Sequence, residues 1–483
     1  MARIKIDLER RLGIIDPMIY GMFIEHLDRC VYDGIFEPGS PLADAEGIRL
    51  DVLAACRRLK PPIIRYPGGN FVSGYHWLDG VGPKEQRPTR FDMAWNTVET
   101  NQFGTNEFID YCRKFPTEPY LCVNMGTGTM DEAAAWVEYC NRAGDTSYAK
   151  LRKEHGYEQP HNVIYWGLGN EMHGDWQIGN LNAEDYAKKA RHFAQVMKWT
   201  DKRIKLILNG GGREWDAMAL RKCADLAEYI SYHVYWYSTP GEDAHYSNLA
   251  QPYASETYIQ YLWQLIQQVR RDQKIKHPIL IAIDEWNVLY PDHGTGERKR
   301  RYNLTNALAV AIYMNMMRRN CQAVGMANLA QMVNLLPPIF TSPEGLFLQT
   351  IFYPLELAAT KSGPIALDTY VECDSYAADY CQLPAVPYLD VMTSLDEQQK
   401  KLYVNLVNLN KDASQRVTIQ VQDGVTVKPA ATAYVVTGES PEVINDFGVE
   451  HVTCKTKRIT NASNNFKYTL PPASNVVVEL DLV

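Results

Sequence analysis

The chain lacks most of the signatures that would assign it at a glance. Its ten cysteines (30, 56, 112, 122, 140, 223, 321, 373, 381 and 454) are scattered, and no Cys-x-x-Cys pair occurs. Disulfide frameworks and zinc sites need regular spacing, so reduced, mostly buried thiols in a cytoplasmic protein are expected. No stretch stays apolar for the roughly 18 residues a membrane helix requires. The start, Met1-Ala-Arg-Ile-Lys-Ile-Asp-Leu-Glu-Arg10, has no apolar signal core. Positive charge is scarce too: the net charge is -8, the pI is about 5.8, and the basic run Lys299-Arg300-Arg301 is short. Neither nucleic acid nor a membrane is therefore expected as a partner.

Several chemistries are missing by motif. No Gly-x-Gly-x-x-Gly follows the first strand and no Walker sequence occurs. Gly210-Gly-Gly-Arg213 lacks the Lys-Ser/Thr of a phosphate loop and reads as a strand-to-helix turn. No Gly-x-Ser-x-Gly presents a serine nucleophile, and Ser231 lies inside a strand. His26, His173, His233 and His293 are possible metal ligands, but no His-x-x-x-His or His-Glu-x-x-His spacing joins them. The expectation is no metal and no cofactor.

What is present is a rhythm. Apolar runs begin near Ile19, Pro62, Pro119, Val163, Ile204, Tyr229, Pro278 and Ala323. Amphipathic stretches separate them: 48–59, 105–115, 131–142, 183–199, 215–226, 256–271, 304–318 and 349–360. Strand and helix alternating eight times predicts an α/β fold, a (β/α)8 TIM barrel over residues 16–362, with an open doubly wound sheet as the alternative. After residue 363 helical periodicity stops. Strand-like runs at 401–407, 416–421, 431–436, 466–470 and 476–480 predict an antiparallel β-sandwich of residues 363–483, joined by residues 1–15.

A barrel builds its site at the C-terminal ends of its strands. Those ends carry Glu25-His26, Arg65 to Asn70, Asn124, Asn170-Glu171, His233-Val-Tyr235, Asp284-Glu285 and Gln331. Two carboxyls from opposite sides of a barrel suit glycoside hydrolysis, in which one protonates the leaving oxygen and the other attacks or activates water. Glu171 after strand four and Glu285 after strand seven form such a pair. Asp284 competes with Glu285, but adjacent strand residues face opposite ways, so only one of the two is expected in the lumen. Thirty Tyr and ten Trp offer aromatic faces for sugars and equally fill cores.

Seven local motifs then occur in order: Gly21-Met-Phe-Ile-Glu-His26, Arg65-Tyr-Pro-Gly-Gly-Asn-Phe71, Ala94-Trp-Asn-Thr-Val-Glu-Thr-Asn101 with Gly104-Thr-Asn-Glu-Phe108, Trp166-Gly-Leu-Gly-Asn-Glu-Met172 with Trp176-Gln-Ile-Gly179, Ser231-Tyr-His-Val-Tyr235, Asp284-Glu-Trp-Asn-Val288 and Ala330-Gln-Met-Val-Asn334. Together they resemble the α-L-arabinofuranosidases of glycoside hydrolase family 51. The resemblance implies an exo-acting retaining enzyme acting on arabinofuranosyl oligosaccharides, with Glu171 as acid/base and Glu285 as nucleophile. It implies that Glu25, Asn70, Asn170 and Gln331 bind furanose hydroxyls, and that Tyr235 orients the nucleophile with His233 beside it. Trp95 and Trp176 are implied as aromatic walls. It also implies a homo-oligomer, a hexamer in many members. An ionised Glu285 is expected to raise the pKa of Glu171.

The chain departs from the family pattern at His173, Asp175 and Leu289, and in a short loop at 291–301, all on the leaving-group side. The alternatives are a β-xylosidase, a galactofuranosidase or an endo-glucanase of the same clan, or a silent sugar-binding barrel.

Overall fold

The computed structural model describes residues 2–239, 241–289, 301–422 and 424–483. His293 and nearly all of the 291–301 loop lie outside them.

Eight parallel strands close into a barrel: Gly21–Phe23, Ile63–Tyr66, Glu118–Val123, Tyr165–Leu168, Lys205–Leu208, Tyr229–Trp236, Leu280–Val288 and Val324–Ala330. Each falls within or across one of the eight apolar runs. The barrel is filled rather than hollow. Ile63, Tyr120, Cys122, Tyr165, Ile207, Tyr229, Ala282 and Met326 share one buried cluster inside it. These strands are apolar on both faces because helices cover the outside. The helix Leu304–Arg319 shows this at its limit, being buried from Leu304 through Arg318.

Nine further strands form one sheet, and three small two-stranded hairpins stand apart from it. The N-terminal strand Ala2–Ile14 lies in its interior, antiparallel to Ile365–Glu372 and parallel to Gln415–Val421. Val435 and Phe466, near opposite ends of the sheet, belong to one apolar cluster, so the sheet curls over its own core as a sandwich. It packs on the barrel through the Leu304–Arg319 helix: Asn315 donates to Asp390 at 2.6 Å, and Arg319 pairs with the same carboxylate at 2.9 Å. The strand holding Asp390, Leu389–Asp396, is buried along nearly its whole length. Burial on both faces removes the polar alternation by which a strand is recognised. All ten cysteines are free, and seven are buried.

The connection after the second barrel strand positions the site. It contains the short turn Asn70–Gly74 and a hairpin, Arg90–Asp92 with Thr97–Glu99, whose tip carries Trp95 over the barrel mouth.

Candidate active site

The fourth strand ends in a left-handed kink. Gly169 has φ +83° and Glu171 has φ +42°. A non-glycine residue there costs about 1–3 kcal/mol and persists where its surroundings hold it. The contacts of Glu171 supply that hold. Oε1 lies 2.9 Å from Nδ1 of His233, and Oε2 accepts the indole N–H of Trp176 at 2.8 Å.

Glu285 faces it from the seventh strand. Oε1 accepts the hydroxyl of Tyr235 at 2.7 Å, and Oε2 accepts Nη1 of Arg65 at 2.8 Å. His233 and Tyr235 sit two apart on the sixth strand and so point the same way. An oxygen of Glu171, a ring nitrogen of His233 and an oxygen of Glu285 all lie within 4.8 Å of one another. Each donor atom of this trio is engaged by its neighbours, and Arg65 already supplies a cation.

Asp284 departs from expectation. Strict alternation would turn it away from the lumen, yet both it and Glu285 point inward. The pairing of the seventh strand with the sixth shifts register between Ala282 and Glu285. Such a bulge breaks the two-residue period and lets consecutive residues share a face. Asp284 lies deeper, accepting from Tyr120 Oη at 2.6 Å, with Nε2 of His233 at 3.3 Å and Nε of Arg65 at 3.7 Å.

The electrostatics also depart from expectation. Burial favours the neutral form of Glu171, but the hydrogen bond and charge of His233 outweigh it and hold the carboxyl low. Burial likewise opposes protonation of His233, but Glu285, Asp284 and Glu171 outweigh it and drive its pKa up. The His233 ring thus draws the Glu171 carboxyl down, opposite to the rise expected from Glu285 alone.

Four further residues complete one wall. Glu25 accepts from the Phe71 amide at 3.2 Å and the Trp95 indole at 3.1 Å on Oε1, and from Gln331 at 2.7 Å on Oε2. Burial first, and the charge of Glu285 second, push its carboxyl up to about 7. Asn170 accepts Nη2 of Arg65 at 2.5 Å and donates to Gln177 at 3.3 Å. Gly69 brings backbone against this group: a Cβ there would meet Glu285 Oε2 at 3.4 Å, with Asn170 Nδ2 and Glu25 Oε2 each at 3.5 Å. Half-buried Asn70 follows directly.

Trp176 is 59% exposed, so it stands at the rim as a donor to Glu171. His26 is buried between Tyr66 Oη, 2.9 Å away, and Glu99, 3.0 Å away. His173 packs edge-on against Trp176 and Trp215, with ring centroids 5.9 and 5.7 Å apart.

Comparison with known proteins finds relatives over nearly the whole chain. The profile of the alpha-L-arabinofuranosidase 1 domain matches residues 55–253, and that of the alpha-L-arabinofuranosidase C-terminal domain matches residues 284–474. Alpha-L-arabinofuranosidase C of Emericella nidulans is 40% identical, over 93% of this chain and 92% of its own. The solved GH51 α-L-arabinofuranosidase of Thermotoga petrophila superposes with a TM-score of 0.91 at 39% identity, covering 99% of this chain and 100% of the other. The chain belongs to the family 51 α-L-arabinofuranosidases. A third relative, from Bacillus subtilis, is named intracellular exo-alpha-(1->5)-L-arabinofuranosidase 1 and is 38% identical over 85% of each chain.

In this family 51 glycosidase, sequence reasoning passed over Arg65 and Asp284 as members of the site. Arg65 has a signal in hindsight: it is a charge closing an apolar strand, buried to 1% and lying over the Phe23 ring at 4.5 Å. Its guanidinium joins Asn170, Asp284 and Glu285, which come from two other strands.

Proposed function

We propose that this arabinofuranosidase is exo-acting and retaining, and that it removes terminal non-reducing α-L-arabinofuranosyl residues from oligosaccharides. Glu285 attacks the anomeric carbon as the C–O bond to the leaving group breaks. Glu171 gives that oxygen its proton, then takes one from the water that hydrolyses the glycosyl ester. The observation that carries this reading is that an oxygen of Glu171 and an oxygen of Glu285 lie within 4.8 Å of each other. Retaining enzymes keep the pair about 5–5.5 Å apart, whereas an inverting site needs about 6.5–9.5 Å to admit water.

Glu25, Asn70, Asn170 and Gln331 hold the furanose, with Trp95 and Trp176 beside it. Gln331 supports this: among the described residues its buried Oε1 has no hydrogen-bond partner. A sugar hydroxyl would satisfy it, and a site built this way discriminates against substrates lacking the group. Residues 16–362 form the catalytic unit and residues 1–15 with 363–483 the sandwich. A cytoplasmic location accords with the free cysteines and with the name of the Bacillus relative. Assembly as a homo-oligomer follows the resemblance, and a 55.0 kDa species in light scattering would overturn it.

The test is Glu285→Ala with added azide. Activity is expected to collapse and azide to restore turnover, yielding the β-azide. Near wild-type hydrolysis without azide would sink the nucleophile assignment.

A further inference from the structure

The acid/base pair leaves one group without a role. His233 lies at the centre of the site, its side chain 10% exposed. Its Nδ1 is 2.9 Å from Glu171 Oε1 and 3.5 Å from Glu285 Oε2, and its Nε2 is 3.3 Å from Asp284 Oδ1. One imidazole therefore touches three carboxylates, all of low exposure. Beyond them, His173 faces it from the loop after the fourth strand. Arg65 and Tyr120, on the second and third strands, reach it through Asp284. Tyr235 stands beside it on its own strand.

With a neutral ring, Arg65 alone would oppose three buried negative charges, an arrangement a protein interior disfavours strongly. A doubly protonated ring places one N–H on Glu171 and brings the other within 3.3 Å of Asp284 Oδ1, and both carboxylates can only accept. Resting Glu171 is then a carboxylate, the wrong state for an acid. The proton it needs is one hydrogen bond away.

We propose that His233 holds, between turnovers, the proton that Glu171 delivers to the leaving oxygen. This rests on the reading of Glu171 as acid/base. When substrate binds, the Nδ1 proton moves to Oε1 of Glu171 and the ring becomes neutral, keeping Nε2–H toward Asp284. Glu171 passes a proton to the glycosidic oxygen as the anomeric C–O bond breaks and the Glu285–carbon bond forms. In the second half, Glu171 takes a proton from the attacking water as the ester bond breaks, and His233 recovers it. The proton lost with the leaving group is replaced from water, so the cycle closes. His233 acts through Glu171 and is a positioning residue for the proton; Asp284 holds the ring from behind.

The experiment compares His233→Asn with wild type on two substrates, an arabino-oligosaccharide and a 2,4-dinitrophenyl arabinofuranoside. Dinitrophenolate leaves without a proton. The variant is expected to lose at least tenfold more kcat/KM on the oligosaccharide than on the dinitrophenyl glycoside. The basic limb of its pH profile is expected to move down by a unit or more. Equal losses on both substrates with an unmoved limb would overturn the proposal, since a merely structural role lowers both alike. Glu171→Ala on the same substrates separates the premises: without leaving-group selectivity there, the acid/base reading itself fails. Should His233→Asn not fold, 15N-histidine NMR of wild type and Glu171→Gln decides. A doubly protonated imidazole at pH 7 in wild type, assigned to His233 by the change of its Nδ1–H signal in Glu171→Gln, supports the proposal, and the absence of such a ring from wild type overturns it.

Discussion

Tyr235 donates its hydroxyl to Oε1 of Glu285 at 2.7 Å, while Arg65 holds the other oxygen at 2.8 Å. Glu285 is thus clamped from both sides, and each oxygen keeps one further lone-pair direction. Tyr235→Phe removes one jaw and leaves the charge pair. Hydrogen bonds to charged groups are worth about 1.5–3 kcal/mol, so kcat/KM is expected to fall about 10- to 100-fold. Steady-state rates on a nitrophenyl arabinofuranoside check this. An unchanged rate would mean that Arg65 alone positions Glu285.

Trp176 reaches Glu171 from an exposed position. Trp176→Phe keeps an aromatic face at the rim and deletes the N–H. Surface changes of this kind usually move stability by less than about 0.5 kcal/mol. Thermal unfolding is therefore expected to match wild type, while kcat/KM on oligosaccharides drops by about tenfold, the scale of one hydrogen bond to a charged group. A lowered melting temperature with unchanged kinetics would make the residue structural.

Much of this architecture was legible in the chain. Eight apolar runs gave eight barrel strands because strands covered on both faces leave no polar residues to interrupt them. The strand ends supplied both glutamates for the same reason: a charge that closes such a run is conspicuous. Local breaks in periodicity were not legible. The register shift before Glu285 puts Asp284 in the lumen, where alternation says it should not be. The ionisation of Glu171 depends on His233, 62 residues away in sequence, and no local pattern encodes that distance. The helix Ser147–Glu154 and the sheet strands Ile365–Glu372 and Thr453–Ile459 were missed because each is short or carries polar residues on both faces.

Gln331 presents a buried, unpartnered acceptor while its amide donates to Glu25 at 2.7 Å. Gln331→Ala is expected to weaken substrate capture, with kcat/KM falling about tenfold or more, because the Glu25 carboxylate and one sugar hydroxyl both lose a partner. A deoxy substrate lacking the hydroxyl that Gln331 accepts from is expected to suffer less from the same substitution. Equal losses on the full and the deoxy sugar would place Gln331 outside the sugar's reach.

Glu25 gives the site a pH-dependent cost. Burial and the charge of Glu285 raise its carboxyl to about 7 in the folded protein. An unfolded glutamate titrates near 4.3. The sign follows from linkage: a group whose folded pKa is raised contributes its stability below the unfolded pKa and loses it as pH climbs through the folded one. Between about pH 4.5 and 7, wild type is therefore expected to lose stability on the order of 2–3 kcal/mol through this residue. Glu25→Gln removes the titration. The new amide oxygen can keep the Phe71 and Trp95 donors, and Gln331 can turn its free Oε1 toward the new NH2. Melting curves of the two proteins are expected to lie close together at pH 4.5 and to separate toward pH 8, with the variant the more stable and the less active. Parallel curves across that range would show that Glu25 stays ionised throughout and that its three donors outweigh its burial.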